Sequence, residues 1–292
     1  MSSPHPGEQA IQRQAREGAP GWGSPMFDAD IPWSFAAFLQ GMHALFIAAP
    51  DSTGAMWSTI VSGPPGFASA LDARNIEINA APAPGDALDG ALTQTPTDIG
   101  IVAVDFERRR RIRINGAVTR AGDCLRVETT QVLGNCPKYI NRRTPLPAAA
   151  PRQVALPSRS GSLNEQDMTL IAEADTFFIG SRSPVHGADS SHRGGRPGFV
   201  TAESPTLVTW PDYVGNSFYM TFGNAHLDPR CGLLFLNWLS GDLLQLTGEL
   251  SLDWRPESIR QAPGALRLVR FDIAEVVRVP GGSPLSWRQL DG

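Results

Sequence analysis

Pro197-Gly198-Phe199 stands 132 positions after Pro65-Gly66-Phe67, and the same spacing carries Phe46-Ile47 onto Phe178-Ile179, Gly100 onto Gly232 and Gly116 onto Gly248. Because the offset runs without a gap from Phe46 to Gly116, the sequence predicts one fold used twice, joined head to tail. Few side chains between these anchors are identical. The differences show which half keeps which chemistry.

Each half opens on a helix. Pro32 suits a first turn, and Phe35, Phe38 and Leu39 follow on one face. The counterpart runs from Asn164 to Ala174, with Asn164 as cap and Met168, Ile171 and Ala172 as the apolar stripe. Short strands come next, at 45–48, 57–62, 75–79, 100–104, 111–118 and 125–132 in the first half. The second half repeats them at 177–181, 199–201, 207–210, 232–237, 243–252 and 266–277. So many short strands with so few helices predict antiparallel barrels and not a doubly wound sheet. The expected organisation is an amino-terminal arm over 1–30 with a helix at Glu8 to Ala15, a first barrel over 31–143, a linker over 144–162 containing Pro145, Pro147, Pro151 and Pro157, and a second barrel over 163–292.

Apolar residues make up 41% and charged residues 18% of the 292, the balance of a globular chain. A net charge of −4 gives no electrostatic case for nucleic acid, and no run reads as a membrane span or a signal peptide, so a cytoplasmic protein is expected. The odd count of three cysteines, Cys124, Cys136 and Cys231, fits reduced thiols. Arg108-Arg109-Arg110-Arg111 falls where the second half has the polar turn Ser240-Gly241-Asp242, which favours a solvated hairpin turn over a phosphate site. Five histidines show no metal-binding spacing, and no nucleophile elbow, Walker loop or dinucleotide glycine motif is present. Of 25 basic residues only Lys138 is lysine, in Gly134-Asn135-Cys136-Pro137-Lys138-Tyr139. It is either a leftover on the surface or a charge kept for its compactness.

Polar residues gather in two stretches of the second half, Ser190 to Phe199 and Trp210 to Asn224. Glycines there let backbone approach a ligand, and the arginines and hydroxyls beside them are phosphate donors. The first half has Ile60, Val61 and Pro64 in place of His192, Arg193 and Arg196, and Pro84 and Leu92 in place of Asn216 and Asn224. Its donors are gone.

Arg196-Pro197-Gly198-Phe199, Trp210-Pro211-Asp212-Tyr213 with Gly215-Asn216, Gly223-Asn224, Asp228-Pro229-Arg230 before Gly232 to Phe235, and Leu244 to Gly248 together resemble the pyridoxamine 5'-phosphate oxidase-like split-barrel flavoproteins. In the first half, Gly63 to Phe67, Ile112 to Gly116 and Gly134 to Ile140 are similar to the same family. The resemblance implies a mainly β protein of two tandem antiparallel split barrels, each six-stranded, with FMN between them. The family's barrel pair is usually that of a homodimer; with two barrels in one chain the pair can be intramolecular, and a homodimer of such chains stays open as a partner. The vitamin oxidase's Arg-x-x-x-Leu-Lys flavin motif is missing, which argues against pyridoxamine phosphate as substrate.

On that resemblance one composite FMN site is expected. The first half alone keeps the Asn135 to Lys138 loop, its place being taken by Val279 to Gly282 in the second half, which alone keeps the phosphate donors. Arg193 and Arg196 would bind phosphate, with Gly194, Pro197 and Gly198 beside them. Asn216, Thr221 and Asn224 would reach phosphate or ribityl, and Trp210, Pro211, Asp212 and Gln245 would edge the ring. Lys138 would bring positive charge to the flavin. Bland alternatives stand beside each: ion pairs of Arg193 and Arg196 with Asp189 or Asp212, turn caps for Asn216 and Asn224, and a solvent-facing Gln245. His192 is either a proton donor to substrate or a structural donor, and Cys136 either an activated or an inert thiol. Two functions follow: an FMN-dependent oxidoreductase acting between a donor such as NAD(P)H and a small organic acceptor or oxygen, or a flavin- or haem-binding module without turnover.

Overall fold

Ala44–Pro50 is buried along its whole length and Thr176–Ser183 almost so. A strand is covered on both faces when its own core lies on one side and a second layer on the other. Here that second layer is the other half of the chain. The computed structural model describes residues 4–146, 156–260 and 262–290.

Two antiparallel split barrels follow one another in the chain. The first is built from β1 (Ala44–Pro50), β2 (Met56–Ser62), β3 (Ala68–Ala70), β4 (Asn75–Ile78), β5 (Thr97–Asp105), β6 (Arg110–Ala121) and β7 (Cys124–Asn135). Two short strands, β8 (Arg143–Leu146) and β9 (Ser158–Ser160), come next. The second barrel comprises β10 (Thr176–Ser183), β11 (Gly187–Gly194), β12 (Thr201–Ser204), β13 (Leu207–Asp212), β14 (Arg230–Leu236), β15 (Leu243–Asp253) and β16 (Arg267–Val279), and β17 (Ser286–Gln289) closes the chain. The sheets have the same order, β2-β1-β5-β6-β7-β4-β3 and β11-β10-β14-β15-β16-β13-β12, with β9 added beside β16. Each path thus has seven strands where the resemblance implied six.

The register repeats the sequence offset. Phe46 faces Val102 as Phe178 faces Leu234, and the pairing slips after Asn115 in β6 as after Thr247 in β15. On the last strand the spacing becomes 144, Val127 facing Val118 as Phe271 faces Leu250, because the β15–β16 connection is longer.

The barrels meet about a local two-fold. Phe46 stacks on its own counterpart Phe178 at 3.5 Å, with 9° between the rings. Such self-pairing marks an isologous contact, the kind a symmetric dimer makes. Gly100 packs against the backbone of Asp189 and Ser190, and Gly232 reciprocally against Met56 and Trp57; a Cβ would lie 2.3 Å and 2.6 Å from those atoms. That close approach explains the matched glycines.

Helices frame the sheets: α1 (Pro6–Ala15), α2 (Trp33–Gln40), α3 (Glu165–Glu173), α4 (Met220–Leu227) and α5 (Pro256–Arg260). Asn164 and Asp167 close a reciprocal capping box on α3, as the sequence suggested for Asn164. Several elements differ from the sequence reading. The polar stretch from Ser190 to Gly194, where no strand was expected, lies in β11; its serines and His192 hide there by hydrogen bonding at the barrel interface. The strand expected at 199–201 begins at Thr201, and α4 is an unanticipated helix. The arm is no loose extension. Ile11 joins the second barrel's core and His5 and Glu8 are buried. Pro147 and Pro151 of the expected linker lie outside the described residues, while Pro145 sits in β8, paired with Trp287 of β17. Among the described residues no helix is long and apolar enough to cross a membrane.

Candidate functional site

A cavity opens between the barrels, with about 940 Å³ of space including the solvent at its mouth. The first barrel supplies Arg111 and Arg113 from β6 and Cys136, Lys138 and Tyr139 from the loop after β7. The second supplies His192, Arg193 and Gly194 from β11, Trp210 to Tyr213 at the end of β13, and residues 215–222 leading into α4. Lys138 therefore meets Arg193, Gly194, Trp210, Pro211, Asp212, Asn216 and Thr221 in one place. Gly194 makes the junction possible, since a Cβ there would stand 2.0 Å from the Tyr139 carbonyl oxygen.

The inner wall is cationic. Arg113 pairs with Asp189 at 3.2 Å and donates to Ser191 Oγ at 2.6 Å. Arg193 lies 3.7 Å from Asp212, which also pairs with Arg267 at 3.1 Å. Arg111 has no carboxylate partner among the described residues. Burial, reinforced by Arg113 and Arg193, lowers its pKa to about 9. The last member of the arginine run thus turns inward, while Arg108, Arg109 and Arg110 stay exposed as a hairpin turn should.

Arg111 Nη1 lies 2.9 Å from His192 Nδ1. A guanidinium only donates, so Nδ1 accepts and the ring proton resides on Nε2. Burial and four surrounding arginines hold the His192 pKa well below its usual value, so the ring is neutral. It can offer a hydrogen bond but is neither a ready acid nor a metal ligand through Nε2. His192 Nε2, Arg111 Nε, Arg113 Nε, Arg193 Nε and Trp210 Nε1 are all buried without an acceptor. Orphan donors lining one cavity are the complement of an anionic, acceptor-rich ligand.

The rest of the lining is aromatic and strained. Trp210, Phe218, Tyr219 and Phe222 line it, and Tyr139 stacks with Tyr213 across the barrels at 5.7 Å. Tyr139, Ser217 and Tyr219 adopt φ of 64°, 59° and 60°, left-handed values costly for residues other than glycine. Such strain gathers where a site needs it.

Other expected residues are not brought here. Arg196, Pro197 and Gly198 sit on an exposed turn outside the cavity, because β11 ends at Gly194. Arg111, and not Arg196, lines the cavity together with Arg193. Asn224 lies on the buried face of α4, bonded to His5 and Ser181. Thr221 reaches the cavity, yet its hydroxyl already donates to Asp189. Gln245 is fully buried between the barrels and not solvent-facing, accepting from Ala87 N and donating to Ser58 O and Asp86. Arg113 gave no signal of its own because its strand reads as an ordinary alternating one, and Arg111 lay in the run whose favoured reading was a solvated turn over a phosphate site. The signal was there in the offset, which sets them opposite Gln245 and Leu243.

The symmetry-related position is closed. Leu243, Gln245, Ile60, Val61 and Ile78 stand there for Arg111, Arg113, His192, Arg193 and Trp210, all at most 3% exposed, with Leu88 wholly buried among them. Gly282, in place of Lys138, packs on Leu243. Among the described residues no cluster of His, Cys, Asp and Glu could hold a metal ion.

No protein-family profile matches the chain, and no curated protein matches it in sequence. Solved structures resemble parts of it. A proposed pyridoxamine 5'-phosphate oxidase from Lactobacillus delbrueckii is 11% identical, covering 40% of this chain and 94% of its own, at a TM-score of 0.33. An FAD-binding protein from Mesorhizobium loti is 12% identical, covering 43% and 99%, at 0.29. General Stress Protein 26 from Bacillus anthracis is 11% identical, covering 43% and 97%, at 0.28.

Proposed function

We propose that this chain is a flavoprotein of the pyridoxamine 5'-phosphate oxidase-like type. It binds one FMN in the cavity between its barrels and passes electrons or hydride between a reduced donor, such as NAD(P)H, and a small organic acceptor or oxygen. In this reading the two barrels arose by duplication, over about 31–143 and 163–292, and later diverged. The observation that carries the proposal is Arg111, a half-buried guanidinium with no carboxylate partner among the described residues, beside a set of orphan donors. A dianionic phosphate answers both the charge and the donors.

Arg111 and Arg193 would hold the phosphate, with His192 donating through Nε2. The aromatic wall and the Trp210 to Tyr213 backbone suit a planar ring, and Lys138 at the mouth would favour negative charge on it. A bound flavin supplies the electron storage that no side chain here offers. The neutral, locked His192 favours one further reading, a flavin-binding module without turnover, because the cavity then lacks a poised proton donor.

The test is a titration of purified protein with FMN, followed by absorbance and quenching of flavin fluorescence. One FMN per chain is expected. No binding defeats the proposal, and two per chain defeats the composite site, since the second position would have to open its packed core.

A further inference from the structure

The cavity wall formed by residues 215–222 is not held by its own barrel alone. Ser217 and Tyr219, two left-handed residues on that wall, both direct their hydroxyls to one oxygen of Glu17, at 2.5 and 2.8 Å. Glu17 comes from the amino-terminal arm, some two hundred positions earlier. It arrives there because α1 ends in a left-handed residue, Arg16 at φ 57°, which turns the chain back and leaves the Glu17 amide bonded to Gln12 O.

The same arm grips the neighbouring backbone. Gln12 Nε2 donates to Ser217 O at 3.2 Å and Trp22 Nε1 to Asn216 O at 2.9 Å, while Trp22 and Phe27 pack on Phe218. At its far end the arm is tied to the first barrel: Val132 N donates to Asp28 O, and Thr129 Oγ1 to Ala29 O. One segment thus spans both barrels behind the cavity wall.

From Glu17 a polar chain leads inward. Tyr219 OH accepts from Arg267 Nη2 at 2.9 Å, Arg267 pairs with Asp212, and Asp212 lies beside Arg193 in the cavity. Arg267 is 1% exposed and stacked against Tyr219 and Trp254. Glu17 adds a carboxylate near Arg267 beside that of Asp212, so its loss would unbalance charge as well as release the hydroxyls.

We infer that Glu17 is a positioning residue of the binding site: by fixing Ser217 and Tyr219 in their left-handed conformation and anchoring the Arg267–Asp212–Arg193 chain, it gives the cavity the shape that accepts its ligand. The ligand identity rests on the flavin reading; the ordering of the wall does not.

The test uses the full chain and two variants, Glu17→Ala and Glu17→Gln. Amide hydrogen exchange over residues 213–222 should quicken about tenfold or more in Glu17→Ala, with β14 and β15 unchanged as the sign that the barrel is folded. FMN affinity should fall by about tenfold in the same variant, a loss corresponding to ~1.4 kcal/mol. Glu17→Gln should recover part of both effects, since its amide oxygen still accepts from one hydroxyl. Wild-type exchange rates in Glu17→Ala would overturn the inference, as would faster exchange with undiminished FMN affinity. A wild-type protein that takes up no FMN would defeat the flavin reading instead, and the exchange rates alone would then decide the role of Glu17.

Discussion

Arg111→Met should stabilise the ligand-free protein while weakening its ligand. The lowering of the Arg111 pKa from 12.5 to about 9 sets an upper bound of roughly 5 kcal/mol on the cost of keeping this guanidinium charged in place, at ~1.4 kcal/mol per pH unit. Methionine matches the length of the stem, fills the space and carries no charge. Against the gain stands His192 Nδ1, which loses the donor 2.9 Å away, a buried acceptor left open costing about 1–3 kcal/mol. The net expectation is a stabilisation of ~2 kcal/mol, or a rise in Tm of about 3 °C for a chain of this length. Ligand binding should move the other way. Loss of one charged hydrogen-bonding partner of about 1.5–3 kcal/mol corresponds to a roughly 10- to 100-fold weaker FMN complex. Thermal unfolding of apo protein and FMN titration of both proteins measure the two arms. A lower Tm together with undiminished FMN affinity would refute the argument, because it would mean that Arg111 is a structural cation whose charge is already answered within the fold.

Two further outcomes follow from other residues. Lys138→Ala should lower the reduction potential of bound flavin and loosen its retention, and Lys138→Arg should restore only part, the fork being bulkier and its charge more diffuse. An unchanged potential in potentiometric titration of Lys138→Ala would leave the lysine without a part in the site. Glu8, buried with Ser24 as its donor, has its pKa raised from 4.5 to about 7 by burial, so the folded state holds the proton more tightly than the unfolded chain. Its contribution, at most roughly 3 kcal/mol, is therefore full below pH 4.5 and lost as pH rises through about 7. Urea unfolding of wild type and Glu8→Gln across that window should show the variant's stability falling less steeply with pH; parallel curves would mean that Glu8 takes no part.

Much of the fold could be read directly because it rests on local pattern. Turn glycines, short β-branched runs and the offset from Phe46 to Gly116 are properties of the chain in one dimension, and a repeated pattern demands a repeated topology. The bulges after Asn115 and Thr247 keep that offset in three dimensions. The sequence also showed that the first half lacks those polar residues, and Ile60 and Val61, in place of His192 and Arg193, pack into its core. The Lys138 loop was legible for the same reason, as a feature present in one half and absent from the other.

What only the tertiary structure decided is which side chains face one another across the barrels. Arg196 and Arg193 are three positions apart and look alike in sequence, yet the end of β11 at Gly194 leaves one at the cavity and the other in solvent. Arg111 sits in a run of four arginines; strand alternation about a hairpin turns it inward, and the second barrel makes that inward side a cavity. Gln245, hydrophilic by type, is buried because Ser58, Asp86 and Ala87 come from the other barrel to bond it. Glu17 belongs to a stretch that reads as a loose arm, and nothing within its own neighbourhood points to Ser217 or Tyr219. Contacts between distant segments depend on how two closed surfaces dock, and the energy of that docking is spread over many weak packing terms with no short-range signature.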